Sequence, residues 1–349
     1  MIHKTISPVL WGLTALLILI LALALAACDV LQADDAADPS VALHPVRIDG
    51  FWGFINNHGR IVIEPDFDAA GTFSDGMAAV QYGADWGYVN AEGARVIQPR
   101  FQFAGTFVDG LAPVRGQGFD DKYGFIDRSG NQVIEARYDL AQAFSEGLAA
   151  VRLDGQWGYV DRQGEMVITP RFSDARPFSE GRATVEGPDG WAYLDPNGAL
   201  AIDPAFTLEA VGPFSEGLAP FQTSDGWGYL NQEGQPVISP QFDEATPFSE
   251  GLAVVKEGHI YVFINPQGNR AYPTEFEAAR PFSEGLAAVR VERQWVFMNK
   301  ASGELAFARA FDRVDDFTDG IARIYLGRDE DPRIGYIDRD GDYVWFPTH

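Results

Sequence analysis

Eight carboxylates recur along the chain at Asp75, Asp109, Glu146, Glu180, Glu216, Glu250, Glu284 and Asp319, each preceding a glycine in a Phe-x-acid-Gly stretch. General acid–base chemistry needs two carboxylates in unlike surroundings, so that one keeps a proton and the other does not. A regular row offers equivalent surroundings, so these acids read as turn residues, with a ladder of cation ligands as the alternative. Two insertions gather further acids: Asp120 and Asp121 in "RGQGFDDKY", and Asp329, Glu330 and Asp331 in "LGRDEDPRI". Clustered oxygens suit calcium, but neither loop has the spacing of a calcium motif, and a solvated acidic loop is the competing reading. The histidines at 3, 44, 58, 259 and 349 are scattered, so no histidine metal site is expected. Cys28 is the only cysteine, which excludes an intramolecular disulfide and a cysteine metal site. Neither a Gly-x-Ser-x-Gly elbow nor a Walker-type phosphate loop is present.

Asp and Glu number 50 against 26 Lys and Arg. The resulting field repels phosphate backbones, so nucleic acid is not an expected partner.

The position of Cys28 carries more than its number. Residues 1–27 run from a short flank with His3 and Lys4 through "PVLWGLTALLILILALALAA" to Leu25, Ala26 and Ala27 immediately before Cys28. This resembles a bacterial lipoprotein signal peptide, with Leu25, Ala26 and Ala27 as the lipobox and Cys28 as the lipid-bearing residue after cleavage. An uncleaved membrane anchor is the alternative, because the apolar run is long enough to span a bilayer. Both place the bulk of the chain outside the cytoplasm. Residues 28–44, acidic and without an apolar period, are expected to be a flexible tether.

The elements that must position any site repeat about every 34 residues over 45–349. The headings are Trp52, Trp86, Tyr123, Trp157, Trp191, Trp227, Tyr261, Trp295 and Ile334. Within a unit, runs that alternate with period two are separated by turn residues, as half-buried antiparallel strands require. In Leu148–Pro170 these runs are "LAAVRL", "QWGYVD" and "EMVITP", joined by Asp-Gly and then by Asp-x-x-Gly. "PFSEG", which begins at Pro177, Pro213, Pro247 and Pro281, is expected to be a hairpin turn whose glutamate faces solvent. Trp52, Trp86, Trp157, Trp191, Trp227 and Trp295 are the expected aromatic core of the units. No single unit buries enough surface to fold alone, so neighbours must stack.

The Trp-Gly-Tyr heading, Val-Ile-x-Pro-x-Phe and Phe-Ser-Glu-Gly-Leu-Ala together resemble the bacterial WG repeat family. The resemblance implies a β-rich repeat domain, often exported, with no agreed activity. Tyr123, Tyr261 and Ile334 depart from the Trp column, and the unit at 261–280 is degenerate.

The expected fold is all-β: tandem antiparallel meanders arranged as a propeller-like toroid or as an open superhelix. The N- and C-terminal segments are read as two parts of one further unit beside eight full ones. The expected function is a non-enzymatic binding or scaffold module at the bacterial cell envelope, lipid-anchored and extracytoplasmic, presenting its repeat surface to a protein or an envelope glycan, with the acidic insertions as candidate binding loops. A glycan hydrolase and a calcium-stabilised adhesin are the rivals. No cofactor is expected apart from that calcium.

Overall fold

A computed structural model describes residues 42–116, 121–202, 207–327 and 332–348. Among these residues the protein is built entirely of strands and turns, in nine consecutive antiparallel meanders. The fourth unit shows the plan. Leu140–Ala141, Leu148–Leu153, Gln156–Asp161 and Met166–Phe172 pair in that order, so the strands lie side by side as the chain writes them. The second and third units join through the long strand Arg95–Ala104. Both hairpin types follow from their turn chemistry. Asp154 and Gly155 both have positive φ, +51° and +80°, as a type I′ turn demands. In the other hairpin, the Asp161 carboxylate accepts from the backbone N–H groups of Gln163 and Glu165.

The core lies between successive units. The aromatic two residues after each of the first eight headings pairs with the Phe of the following unit's Phe-x-acid-Gly turn. Examples are Phe54 with Phe73 at 4.8 Å, Tyr159 with Phe178 at 5.0 Å and Phe297 with Phe317 at 4.9 Å. The heading tryptophans sit at the margin of this core. Trp157 is buried, whereas Trp52, Trp86, Trp191, Trp227 and Trp295 are half-buried against it.

The Gly of Trp-Gly and the Pro of Val-Ile-x-Pro-x-Phe form a single device. Trp157 faces Phe172 and Tyr159 faces Ile168, so two residues of one strand oppose four of the next. The extra pair forms a bulge that arches over Gly158, where a Cβ would stand 2.4 Å from the Ile168 carbonyl oxygen and 2.7 Å from Pro170 N. Gly53, Gly87 and Gly228 show the same crowding. Where the glycine is replaced, the fourth strand shrinks. Beside Ala192 its described part is only Leu200–Ile202. Beside Val262 and Val296 it is reduced to the isolated bridges Tyr261–Phe276, Ile264–Arg270, Trp295–Phe311 and Met298–Leu305. There Tyr272 and Phe307 supply aromatic contacts to Phe263 and Phe297 instead. The degenerate unit read from the sequence at 261–280 has this cause.

The ends differ from the expected split unit. The last unit is complete, with Arg313–Thr318, Ile321–Leu326, Arg333–Asp338 and Tyr343–Thr348. The first unit has three described strands, Leu43–Ile48, Phe51–Asn56 and Ile61–Phe67, and no described strand is shared between them. They meet face to face. Val46 and Ile55 pack with Ile321, Ile334 and Tyr336 in one apolar cluster. Elsewhere, the carbonyls of the second strand accept from the backbone of the short innermost strand, as Pro113 does from Gly105 and Arg152 from Asp139. In the first unit the matching carbonyls take hydroxyls of the last unit: Tyr336 donates to Pro45 O at 2.8 Å and Thr348 to Arg47 O at 2.6 Å. Among the described residues, two side chains thus bond where a strand does elsewhere, and the order of unit-to-unit contacts is cyclic.

Candidate functional site

The site is built on the Phe-Ser-acid-Gly turns, and these do more than turn. Each acidic residue has positive φ, for instance +51° at Glu180 and +54° at Glu250, a conformation that costs a non-glycine residue about 1 kcal/mol. The side chain offsets that cost by reaching the next unit. Carboxylates of Asp75, Glu146, Glu180, Glu216, Glu250 and Glu284 accept from the backbone N–H of Gly110, Gly181, Gly217, Gly251, Gly285 and Gly320. The serine makes a second bond in the same direction. Ser145 Oγ donates to Phe178 O and Ser283 Oγ to Phe317 O, both at 2.7 Å. Glu146, Glu180 and Glu216 are exposed, as the turn reading expects, and these acids also clasp one unit to the next.

Glu180 makes two such bonds, to Glu216 N at 2.7 Å and Gly217 N at 2.9 Å. Glu180→Ala keeps the strained backbone and loses both, and is expected to lower stability by about 1–2 kcal/mol in a denaturant titration. Glu180→Gly relieves the strain and is expected to lose roughly half as much.

The clasp changes character where the last unit meets the first. Its turn carries Thr318 and Asp319, and among the described residues no following turn receives them. A cavity of about 360 Å³ opens there, lined by Leu43, His44 and Pro45 of the first unit, Thr72 and Phe73 of the second, and Asp315, Asp316, Asp319, Arg323 and Tyr336 of the last. Its polar groups are closely arranged. Asn57 donates its amide to the Asp319 carbonyl, which turns Asn57 Oδ1 toward His44 Nε2 at 3.0 Å and places the imidazole proton on Nε2. Burial lowers the His44 pKa below its ordinary range, so the ring is favoured in its neutral form. Its ring lies 5.7 Å from that of Tyr336. Arg323 Nε donates to Tyr336 Oη at 2.9 Å, and Tyr325 Oη donates to Asp315 Oδ2 at 2.7 Å. Burial pushes the Tyr336 phenol up to about 12.

The strand Arg313–Thr318 slips register between Val314 and Phe317. Arg280 Nη1 lies 3.9 Å from Asp315 and 3.7 Å from Asp316, so the slip brings two consecutive carboxylates to one side, where a regular strand would alternate them. Burial raises the Asp316 pKa despite this neighbour. The arrangement can hold a ligand between carboxylates, a guanidinium and aromatic faces.

A larger cavity, about 720 Å³, lies beside the shortened strand of the fifth unit. It is lined largely by apolar groups, including Phe172, Trp191, Ala192, Leu200 and Leu208, and its charged groups are Arg171 and Asp189.

Of the residues singled out in the sequence, Leu25, Ala26, Ala27, Cys28, Asp120, Asp329, Glu330 and Asp331 lie outside the described residues. Asp121 is described, in the turn that opens onto Tyr123, with φ +58°. Among the described residues no group of three or more His, Cys, Asp or Glu is arranged to hold a metal ion, and no helix is long and apolar enough to cross a membrane. His44, Asp315, Asp316 and Arg323 were passed over in the sequence, yet a signal was present. His44 stands in a column held by alanine at 78, 112, 149 and 219, and Arg323 in one held by Ala79, Ala150 and Ala288.

Together these features define an all-β protein of propeller-type meander units, with a cluster of departures from the repeat chemistry at the junction of first and last. Residues 52–84, 86–118, 123–157, 157–186, 191–226, 227–258 and 263–295 match the model of the WG containing repeat, and the chain belongs to that family. No curated protein matches the sequence. A crystal structure of the eukaryotic initiation factor is similar over 87% of this chain and 94% of its own, at 13% identity and TM-score 0.60. The dihydro-heme d1 dehydrogenase NirN in complex with DHE is similar over 90% and 74%, at 13% identity and TM-score 0.49. The first of these likenesses shows the fold.

Proposed function

We propose that this WG repeat protein is a binding or scaffold module of the bacterial cell envelope, held to a membrane by lipid on Cys28, that engages a protein or an envelope glycan at the junction of its first and last units. The observation that carries the reading is the junction cavity, where His44 and Arg323 stand in columns that other units fill with uncharged residues and Asp315 and Asp316 add two consecutive carboxylates. Arg323, with its side chain 22% exposed, stands where other units carry uncharged residues, and a charge taken partly out of water costs desolvation that a partner offsets. The lipid anchor rests on the sequence Leu25-Ala26-Ala27-Cys28.

The test is capture from detergent-solubilised envelopes by the full chain, by a junction variant (Asp315→Asn, Asp316→Asn and Asp319→Asn together), and by a variant neutralised at Asp120, Asp121, Asp329, Glu330 and Asp331. Retention of a partner by the wild type and the loop variant, and its loss from a junction variant that still melts cooperatively, is the expected result. Loss from the loop variant alone would move recognition to the insertions, where the calcium-stabilised reading would then be tested with chelator. No partner from any version would count against a binding module.

One observation favours the second reading, a glycan hydrolase. Asp316 lines the cavity beside Asp315, and burial raises its pKa, as a carboxylic acid that is to donate a proton requires. Turnover of an envelope glycan, abolished by Asp316→Asn, would establish it.

A further inference from the structure

We propose that the fourth strand of the last unit, Tyr343–Thr348, carries a binding face for a neutral glycan, with a sugar ring lying flat on Phe346 and Tyr343 holding Phe346 in place. Neither aromatic lines the cavities described above, so this face and the junction stand or fall separately.

Tyr336 faces Trp345 and Ile337 faces Tyr343, as Tyr159 faces Ile168 and Val160 faces Met166 in the fourth unit. Phe346 therefore holds the position of Thr169, and Tyr343 that of Met166. In other arched units the equivalents of Phe346 are Glu64, Gln98, Glu135 and Ser239, and those of Tyr343 are Ile61, Arg95, Gln132 and Pro236. Two positions thus turn aromatic together, in one unit. Along a regular strand, residues three apart point to opposite faces. The bulge over Gly335, where a Cβ would stand 2.8 Å from Pro347 Cγ and 3.0 Å from the Trp345 carbonyl oxygen, brings these two to one side. Their ring centroids lie 4.9 Å apart, with the planes 28° from parallel.

The pair is fixed before any ligand arrives. The Arg309 guanidinium lies over the Tyr343 ring at 4.4 Å. It comes from the eighth unit, at the position that Pro170 holds in the fourth, and so from a strand that has lost its arch. Tyr343 is held by Arg309 and Phe346, whereas Phe346 keeps 71% of its surface in water, more than any other large apolar residue described. That openness selects the occupant. An apolar protein side chain gains affinity by being covered on all sides, which calls for a recess. A pyranose with equatorial hydroxyls presents a face of C–H groups to a ring and keeps its hydroxyls in water at the rim, so a flat exposed aromatic suffices. The formal net charge of −24 disfavours phosphate-bearing chains and anionic lipid surfaces, and leaves a neutral sugar.

The probes are cellohexaose and the β-linked hexamer of N-acetylglucosamine, titrated calorimetrically against the full chain in a sugar-free detergent. Saturable binding of at least one is expected, and it should be the same at low and high salt because no charge is paired. It should weaken roughly tenfold or more in Phe346→Ala and in Phe346→Leu, and persist in Phe346→Trp, which keeps a ring. All three variants should melt as the wild type does, since the side chain lies mostly in water. The leucine variant decides the matter, because it keeps an apolar side chain and removes the flat face. Equal binding by Phe346→Leu would overturn the proposal, as would binding of neither sugar or binding that salt abolishes. A polyproline peptide that binds at Phe346 where the sugars do not would give the face to a polypeptide and overturn the glycan. The junction variant with Asp315→Asn, Asp316→Asn and Asp319→Asn should bind the sugars as the wild type does, and loss of sugar binding there would overturn the placement.

Discussion

Gly158→Ala is expected to cost about 3 kcal/mol of stability, the upper part of the range for forcing one extra carbon into a packed site. The added Cβ would lie 2.4 Å from Ile168 O, 2.7 Å from Pro170 N and 3.0 Å from Pro170 Cα. All three are backbone atoms, so no side chain can swing aside. The relief open to the fold is the one it already uses beside Val262 and Val296, where the fourth strand lets go. Hydrogen exchange should accordingly rise across Met166–Phe172, while the strands Leu148–Leu153 and Gln156–Asp161 stay protected. Gly155→Ala is the control. Its φ of +80° is unfavourable to alanine, but nothing lies within 4 Å of the new Cβ, so a loss of only about 1 kcal/mol is expected. Equal losses at the two sites would show that the Trp-Gly column answers to backbone conformation and not to the close approach of the bulged strand.

Phe178→Ala should cost about 3–5 kcal/mol, as large-to-small changes at fully packed aromatics do. Phe178 is 3% exposed and belongs to the fifth unit, but its partner Tyr159 belongs to the fourth. The cavity would thus open in the layer between two units. Tyr159→Phe keeps that layer filled and deletes only the hydroxyl, which donates to Arg176 O at 2.7 Å, so about 1 kcal/mol is expected. A chemical denaturation series on both variants, read by tryptophan fluorescence and by circular dichroism, would separate packing from hydrogen bonding. The two signals should move together, because each unit is braced on both sides. A truncation at Phe178 that cost no more than Tyr159→Phe would mean that the layers between units are not where stability resides.

The parts of this architecture that were legible in the sequence are those fixed by short spacing. Asp-Gly and Asp-x-x-Gly mark both hairpins because a left-handed backbone is paid for locally, within two or three residues. The period emerged from the Trp-Gly headings, and the aromatic at Tyr159 or Phe54 from alternation along one strand. The serine and glutamate of Phe-Ser-Glu-Gly were legible only as turn residues, since Ser145 finds its acceptor at Phe178 and Glu180 its donors at Glu216 and Gly217, beyond anything a single hairpin dictates. The ends were harder still. Tyr336 and Thr348 reach Pro45 and Arg47 across 291 and 301 residues of chain, and the pattern of strands alone suggested a shared unit. His44 and Arg323 were visible as departures within their columns, but their meaning depended on the junction that brings them together.

The clasp bonds all run one way along the chain, from each turn to its successor, and this sets an order of completion during synthesis. A unit leaving the ribosome holds a hydroxyl and a carboxylate whose receivers are yet to be translated, so it is finished by the unit behind it. The first sheet waits longest. Its carbonyls at Pro45 and Arg47 accept from Tyr336 and Thr348, 291 and 301 residues further along the chain, so a nascent chain arrested before them lacks both bonds. The junction is thereby the last contact between units to form, made when the ninth unit meets the first.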